Sequence, residues 1–265
     1  MIGQTSLLKV LKDTELAPFT MLVGQKGSGR KTLIRELYPE AITISDCSVD
    51  SVRQLIDDAY RSYNQIFFVP DVDGMSVNAM NALLKVVEEP PNGNKFIMTI
   101  ESITNTLTTI TSRARVYYME PYSYSDLVKY SRSKNYSLKY FSLCDTPGEI
   151  DLLNQLGADG LYDYCVLVFR NIADVSISNS YKIANRVALK DGEEGYDLKL
   201  FWKFFIHVCN EEARQADNRE ECISYYTWSS ITRSPLDKLY SKYSKSMNKR
   251  YLFDDWIEEI RWTRV

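Results

Sequence analysis

A glycine-rich segment near the N-terminus constrains the fold of this chain more than any other feature. Residues 24–32 read Gly-Gln-Lys-Gly-Ser-Gly-Arg-Lys-Thr. They follow a short apolar run, Phe19–Val23, and lead into a predicted helix over Lys31–Leu37. A strand, a loop of the form G-x-x-x-x-G-K-[ST] and a helix together place backbone N–H groups around phosphate oxygens. The segment therefore predicts an α/β fold with a phosphate-binding loop.

The loop keeps the glycine spacing but changes two working side chains. In an active loop the Lys reaches the β and γ phosphates, and the Ser or Thr hydroxyl ligates Mg²⁺. Here Arg30 takes the Lys position, Lys31 takes the hydroxyl position, and a hydroxyl follows one residue late at Thr32. The loop therefore predicts a nucleotide-binding fold with impaired nucleotide chemistry. The candidate nucleotide-binding residues are Gly24, Gly27, Gly29, Arg30, Lys31 and Thr32 of the loop, together with Asp71 after the strand at residues 65–69.

Apolar strands and helices alternate after the loop. The strands are continuously apolar, which is typical of a parallel sheet that helices cover on both faces. We predict a base domain over residues 1–121 with this architecture. Its further strands are predicted at Ala41–Ile44, Gln65–Val69, Lys95–Ile100 and Val116–Met119, and its further helices at Val52–Ser62 and Val77–Glu88.

From Tyr122 onward the pattern becomes helical. A polar, Ser-rich stretch, Asp174–Ser180, divides this region into predicted domains 122–174 and 175–265. Aromatic side chains at helical spacing in the second of them indicate a core or a subunit interface. Helices are predicted at Ser125–Ser133, Glu149–Leu156, Leu161–Asn171, Tyr181–Ala188, Asp197–Asn218 and Leu236–Tyr251.

Composition and charge exclude several function classes. A net charge of −3 over 265 residues gives no global basic field that would draw the chain to nucleic acid. The five cysteines are scattered and His207 is the single histidine, so no metal site is predicted. No apolar run approaches the ~20 residues of a membrane-spanning helix, and the first residues lack a signal-peptide pattern. We therefore expect a cytoplasmic protein that does not contact membranes.

Four blocks in fixed order resemble one protein family. The strand Ile66–Val69 runs into the acidic segment Pro-Asp-Val-Asp, residues 81–91 read N-A-L-L-K-V-V-E-E-P-P, residues 109–114 read T-I-T-S-R-A, and residues 145–149 read D-T-P-G-E. These blocks resemble the AAA+ subunits of sliding-clamp loaders. The resemblance implies a RecA-like α/β base domain, a small helical lid and a helical collar that holds subunits in a ring.

The chain departs from the catalytic pattern of that family at several positions besides the loop. The family's metal-binding Asp falls on Pro70, which offers no ligand, and its catalytic Glu falls on Asp71. The polar residue of sensor 1 falls on Ile100 or Glu101, and the Arg of sensor 2 falls on Glu149. Loss of a metal ligand or of a cationic group lowers phosphoryl-transfer rates by orders of magnitude. The departures together predict a site that hydrolyses ATP poorly.

The T-P-G form of the fourth block resembles the δ′ subunits of bacterial clamp loaders, which do not hydrolyse ATP. Such subunits present the Arg of their S-R-C motif to the nucleotide of a neighbouring subunit. The matching residue here is Arg113, which is the candidate arginine finger in trans. An ordinary surface ion pair is the alternative role for Arg113, and Arg115 could share the finger role.

Partners and cofactors follow from the same resemblance. It implies other AAA+ loader subunits in a hetero-oligomeric ring, a sliding clamp, and primer–template DNA reached through the complex. No cofactor is required for this role, and a bound ATP or ADP stays open. The short aromatic C-terminal region favours a viral or phage version of the loader, which would work in the host cytoplasm.

Two alternatives stay open at the level of sequence. In the first, the chain is an active AAA+ ATPase with a shifted loop, in which Lys31 contacts phosphate and Thr32 ligates the metal. Asp71 or Asp73 would then hold Mg²⁺. In the second, the chain is an interaction module of a replication or repair assembly that keeps the AAA+ shell but contacts no clamp.

Overall fold

A five-stranded sheet organises the N-terminal part of the protein. The structure is a computed structural model, and it describes residues 2–44, 46–172, 186–188, 194–240 and 248–263. All neighbouring strands are parallel, and their order is β2-β3-β4-β1-β5. The strands are β1 (Phe19–Val23), β2 (Ile42–Thr43), β3 (Ile66–Val69), β4 (Lys95–Ile100) and β5 (Arg115–Tyr118). The predicted α/β class with a parallel sheet is confirmed.

Both faces of the sheet are buried, as the continuously apolar strands predict. Successive residues on a strand point to opposite faces. Accordingly, Met21 packs in one hydrophobic cluster and its neighbour Leu22 in the other, and Phe67 and Phe68 divide in the same way. Helices cover the two faces because each parallel connection must cross over the sheet. They are α1 (Thr5–Asp13), α2 (Arg30–Leu37), α3 (Val49–Arg61), α4 (Val77–Glu88) and α5 (Thr108–Thr111). Helix α6 (Tyr124–Ser133) follows β5.

Capping residues set the observed starts of the helices, and they explain where the predicted boundaries agree or differ. Helix α4 has its predicted bounds, because the Ser76 side chain caps its first turn and Pro90 follows its end. Helix α3 begins three residues before its predicted start, at Val49, because the Ser48 side chain accepts the N–H of Ser51. Helix α1 was not predicted at all. The predicted strand Ala41–Ile44 is shorter, and it pairs only at Ile42 and Thr43.

The chain divides into two compact units. One contains Met1–Asn135 with Asp145–Gly148, and the other contains Tyr136–Cys144 with Glu149–Val265. The predicted division into base, lid and collar stays a prediction, and its second boundary, at 174/175, lies outside the described residues. The helices after α6 are α7 (Pro147–Leu156), α8 (Ala158–Ile172), α9 (Leu198–Gln215), α10 (Arg219–Tyr240) and α11 (Lys249–Trp262).

Aromatic side chains form the core of the second unit. Trp256 of α11 meets Phe201 and Phe205 of α9 edge to face, at ring-centroid distances of 5.7 and 5.0 Å. Its indole N–H donates to Thr232 Oγ1 at 2.9 Å, so its polar atom is satisfied inside the core. The expected core role of the aromatic residues holds for these side chains. Trp262, at the end of α11, is 86% exposed.

Two helix predictions in this region are wrong. The predicted helix Leu236–Tyr251 is not continuous, because its first residues belong to α10 and α11 begins only at Lys249, after the Asn248 cap. Helix α10 passes through Pro235, which lacks a backbone donor but is buried. In the predicted helix Tyr181–Ala188, residues 181–185 lie outside the described residues. Val187–Ala188 pair as a short parallel strand, β6, with β7 (Tyr196–Asp197).

No helix within the described ranges has both the length and the apolar character that crossing a membrane requires.

Two buried thiols should make the protein less stable at alkaline pH. Burial raises the pKa of Cys165 well above its ordinary value, and burial likewise raises the pKa of Cys209. The unfolded chain ionises a thiol above about pH 8.5, so the native state binds more protons there. The contribution of the two thiols to the free energy of unfolding is therefore fully present below that pH. Above it, the free energy of unfolding falls by up to about 1.4 kcal/mol per pH unit for each thiol.

Denaturant unfolding between pH 8 and pH 10 measures this slope. The Cys165→Val variant, which removes one titrating group, should show a flatter pH dependence than the unchanged chain. An identical slope in both proteins would contradict the assignment.

Candidate functional site

The phosphate loop lies at the carboxyl edge of the parallel sheet, where ligands of α/β proteins bind. It leaves β1 at Gly24, whose N–H donates to the carbonyl of Ile100 at the end of β4 at 3.0 Å. A side chain at Gly24 would meet Met119, since a Cβ would come within 2.5 Å of the Met119 Cγ. The first glycine of the motif therefore permits close packing between the loop and the end of β5.

The other two glycines give the loop its curvature. Gly27 and Gly29 have φ angles of 82° and 86°, a left-handed backbone that favours glycine. Gly29 is the residue before α2, so the helix begins at Arg30, one residue earlier than predicted. Ser28, between the two glycines, is buried. The loop therefore has the glycine-dependent shape that its spacing predicts.

The two cations that replace the usual Lys and Ser or Thr turn toward acidic residues of the same chain. Nη2 of Arg30 lies 3.2 Å from Oδ1 of Asp71, and its Nη1 lies 3.8 Å from Oδ2 of Asp73. Nζ of Lys31 contacts the other carboxylate oxygen of Asp71. The side chains of Arg30 and Asp73 are each only 6% exposed. A buried charge requires such pairing, so these residues form a self-neutralising cluster.

The backbone holds both carboxylates in place. Asp71 follows β3 in a left-handed conformation, with φ 51° and ψ 52°, which is uncommon for a residue with a side chain. Its N–H donates to Oγ1 of Thr99 at 2.9 Å. Oδ2 of Asp73 accepts the N–H of Glu101 at 2.7 Å. The acidic segment after β3 is therefore tied to the end of β4.

Sequence reasoning missed two members of this cluster. Asp73 was considered only as a possible metal ligand in the alternative reading, yet it is the more buried partner of Arg30. The hydroxyl beside Asp71 belongs to Thr99, whereas sensor 1 was assigned by counting to Ile100 or Glu101. A signal for Thr99 existed, because it is the one polar residue within the apolar run F-I-M-T-I of β4.

The D-T-P-G segment packs directly on the phosphate loop. The N–H of Gly148 donates to the carbonyl of Gly27 at 2.9 Å, and Oγ1 of Thr146 lies 3.4 Å from the carbonyl of Lys26. A Cβ on Gly148 would lie 2.4 Å from the Gly27 Cα, so a side chain would not fit there. The fourth sequence block therefore meets the first by backbone contact.

A tyrosine completes the cover over the loop. The hydroxyl of Tyr122 donates to the carbonyl of Ser28 at 2.7 Å. Burial raises the pKa of Tyr122, which keeps this hydroxyl protonated as a donor. A side chain at Gly3 would collide with the Tyr122 ring. The carbonyls of three consecutive loop residues thus accept hydrogen bonds from outside the loop.

The remaining predicted site residues do not join the cluster. Thr32 lies in the first turn of α2 and is exposed. Glu149 belongs to the second unit, where Nζ of Lys203 lies 2.8 Å from its carboxylate. With Lys31 on Asp71 and Thr32 in solvent, nothing in the geometry favours the shifted loop of an active ATPase. The described residues include no group of three or more His, Cys, Asp and Glu side chains that could hold a metal ion.

Arg113 lies at a second position, just after α5. Its Nη1 donates to the carbonyl of Thr109 at 2.7 Å, and its Nη2 donates to Oε1 of Glu88 at 2.8 Å. The Arg113 side chain is 35% exposed. The surface ion pair considered from the sequence is therefore present, and the finger role stays a prediction. Arg115 is exposed and has no ion pair with the described residues.

Comparisons with known proteins match the middle of the first unit. Residues 38–123 match the family model described as DNA polymerase III, delta subunit. The DNA polymerase III subunit delta′ of Buchnera aphidicola subsp. Schizaphis graminum is 36% identical over 73 residues, which are 26% of this chain and 22% of that protein. Subunit delta′ of Yersinia pestis is 34% identical over 79 residues, 28% of this chain and 23% of that protein. The matches thus span about a quarter of the length of these curated relatives.

One solved structure aligns over nearly the whole chain. It is a DNA polymerase III, gamma subunit-related protein from Thermotoga maritima, which is 16% identical, covers 98% of this chain and 99% of its own, and gives a TM-score of 0.47. The resemblance predicted from residues 81–91 and 109–114 is confirmed by the family and relative matches.

The buried charge cluster predicts a specific stability effect. Asp73→Asn should lower the free energy of unfolding by about 2 kcal/mol, because Arg30 stays charged in the interior with one partner fewer. Thermal and urea unfolding measure the change. Asp50→Asn is the matched control, since its ion pair with Arg53 is exposed and should contribute little.

A second variant separates charge pairing from packing. In an Arg30→Met background, Asp73→Asn should have a much smaller effect, because the buried cation is gone. Equal effects of Asp73→Asn in both backgrounds would show that the pairing does not contribute to stability.

Proposed function

We propose that this chain, a relative of DNA polymerase III clamp-loader subunits, is a δ′-like subunit that does not hydrolyse ATP itself and contributes Arg113 to the ATP site of a neighbouring subunit. The observation that carries the proposal is a contrast between two positions. Arg30, at the usual Lys position of its own phosphate loop, is buried and held by Asp71 and Asp73, whereas Arg113 lies partly exposed at the surface with Glu88 as its ion-pair partner.

The charge cluster supports the first half of the proposal. Hydrolysis needs a cation on the phosphates and oxygen ligands on Mg²⁺. In this loop Arg30 and Lys31 are held by carboxylates, and the carboxylate of Asp71 already has two cationic partners. Pro70, at the family's metal-binding position, has no ligand to offer. A nucleotide would have to break the pairs of the buried Arg30 and would still lack the metal ligand at position 70.

The hydrogen bonds to the loop carbonyls also support the first half of the proposal. Gly148 and Tyr122 donate to loop carbonyls and fit closely against neighbouring glycines. They fasten the loop by contacts within the chain, which supports a structural role for the loop. The two observations are independent, because one rests on charge and the other on backbone packing.

Arg113 supports the second half of the proposal. An arginine finger must reach out of its own subunit and present N–H donors to phosphate oxygens. The Arg113 side chain is partly exposed, and two acceptors hold its Nη atoms while its other N–H groups stay available for an anion. It also has the position of the S-R motif that the family uses for this purpose.

The remaining proposed partners are those of a clamp-loader complex. The proposed neighbours are ATPase subunits of the same hetero-oligomeric ring, and the ring would load a sliding clamp on primer–template DNA in the cytoplasm. A phage origin of this loader is part of the proposal. The net charge of −3 is consistent with contact to DNA through the complex rather than by this chain alone.

Replacement of Arg113 tests the finger role. Arg113→Ala should lower the DNA-stimulated ATPase of the reconstituted complex by about 10³-fold or more, while gel filtration shows the same assembly. Arg115→Ala, two residues away, shows whether Arg115 shares the finger role, and Arg53→Ala, which removes an exposed arginine of α3, is the control. An unchanged ATPase in the Arg113→Ala complex would refute the proposal.

Nucleotide binding by the isolated chain tests the other half. Calorimetric titration with Mg²⁺ and ATP should detect no binding at micromolar concentrations, and phosphate release should stay at background, because Arg30 and Lys31 are paired within the chain. Binding in the micromolar range with Mg²⁺-dependent turnover would instead support an active ATPase. A partner ATPase subunit in the same assay is the positive control.

A further inference from the structure

We infer that Glu88 is a positioning residue for Arg113, so that the acidic end of α4 orients the guanidinium that acts on the neighbour's ATP. The inference rests on the proposed function and adds a residue to it. It also gives a role to the E-E-P-P sequence after α4, for which the helix stop at Pro90 explains only the prolines.

The location of Glu88 needs an explanation of its own. Glu88 is the last residue of α4, and the C-terminal end of a helix carries partial negative charge. A carboxylate is therefore unfavourable there unless a cation compensates it. That cation is Arg113, whose Nη2 lies 2.8 Å from Oε1 of Glu88. The pair joins two elements, because Arg113 follows α5 while Glu88 ends α4.

Two acceptors fix the direction of the guanidinium. Thr109, within α5, offers its carbonyl to Nη1, and Glu88 offers its carboxylate to Nη2. Two anchors on different atoms restrict the rotation of a long side chain that would otherwise sample many rotamers. Preorganisation of a catalytic donor raises the rate because the ordering precedes the reaction. The carboxylate thus holds the guanidinium without using all of its donors.

The exposure of the pair argues against a role in stability alone. The side chain of Arg113 is 35% exposed and that of Glu88 is 52% exposed. Ion pairs at such exposure contribute little to folding and exchange partners readily. A phosphate group with greater negative charge can therefore draw the guanidinium toward itself. Glu88 thus orients the guanidinium of Arg113 before the nucleotide arrives and releases it when the guanidinium binds phosphate.

The next residue offers a matched control. Glu89 has the same charge, is exposed, and makes no ion pair with any described residue. Adjacent residues at a helix end point in different directions, so Glu89 does not share the contact with Arg113. Substitution of either Glu by Gln changes the net charge equally, and the difference between them isolates the contact.

The experiment measures the steady-state ATPase of the loader complex reconstituted from the full chain and its partner subunits. Glu88→Gln should lower kcat by about tenfold, on the scale of a misplaced catalytic group, while KM for ATP and assembly stay unchanged. Glu88→Asp should recover part of the rate, since it keeps the carboxylate. Glu89→Gln should behave as the unchanged chain.

A double variant shows whether Glu88 acts through Arg113. Glu88→Gln should have no further effect in an Arg113→Ala background. If Arg113→Ala lowers the rate and Glu88→Gln does not, this inference is wrong and the proposed function stands. If Arg113→Ala has no effect, the proposed function is wrong and the inference falls with it. A loss of rate from Glu88→Gln in both backgrounds, or a loss of assembly with both Glu88 variants, also overturns the inference.

Discussion

The pairing of Arg30 with Asp71 and Asp73 is the interaction that holds together the loops at the carboxyl edge of the sheet in the first unit. A guanidinium in the interior needs compensating charge, and the chain provides it from the segment after β3. The segment can do so because Thr99 and the Glu101 N–H fix the two aspartates. The loop after β1, the loop after β3 and the end of β4 are therefore held by one charge cluster.

Local signals predicted much of this fold, and long-range contacts explain what was missed. The glycine spacing placed the loop, and Ser76 with Pro90 fixed both ends of α4, because caps and proline act on neighbouring residues. The partners of Arg30 lie about forty residues away along the chain, so spacing could not reveal them. Helix α10 passes through Pro235 because tertiary burial outweighs a local helix-breaking signal.

The candidate site was only partly predicted, because contiguous motifs are visible in the sequence and contacts between distant residues are not. Recognition of the clamp-loader resemblance depended on contiguous strings, and the comparisons confirm it. Asp71 was assigned as a weakened catalytic residue, and its actual contacts are with cations of its own chain. The proposed roles of Arg113 and Glu88 concern a neighbouring subunit, which the sequence of one chain does not contain. Their contact with each other could not be predicted either, because it joins the ends of two helices.

The self-neutralising cluster also has an evolutionary consequence. Its charges balance one another, so a substitution toward the ATPase pattern that changes a charge would disturb this balance. Lys31→Thr would take one cation from Asp71, and an aspartate at position 70 would bring a further negative charge beside it. The close contact of Gly148 with Gly27 also ties the loop to the D-T-P-G segment. Under the proposed function, recovery of hydrolysis would require changes at several of these positions. A cluster of this kind would then help to preserve the proposed loss of activity.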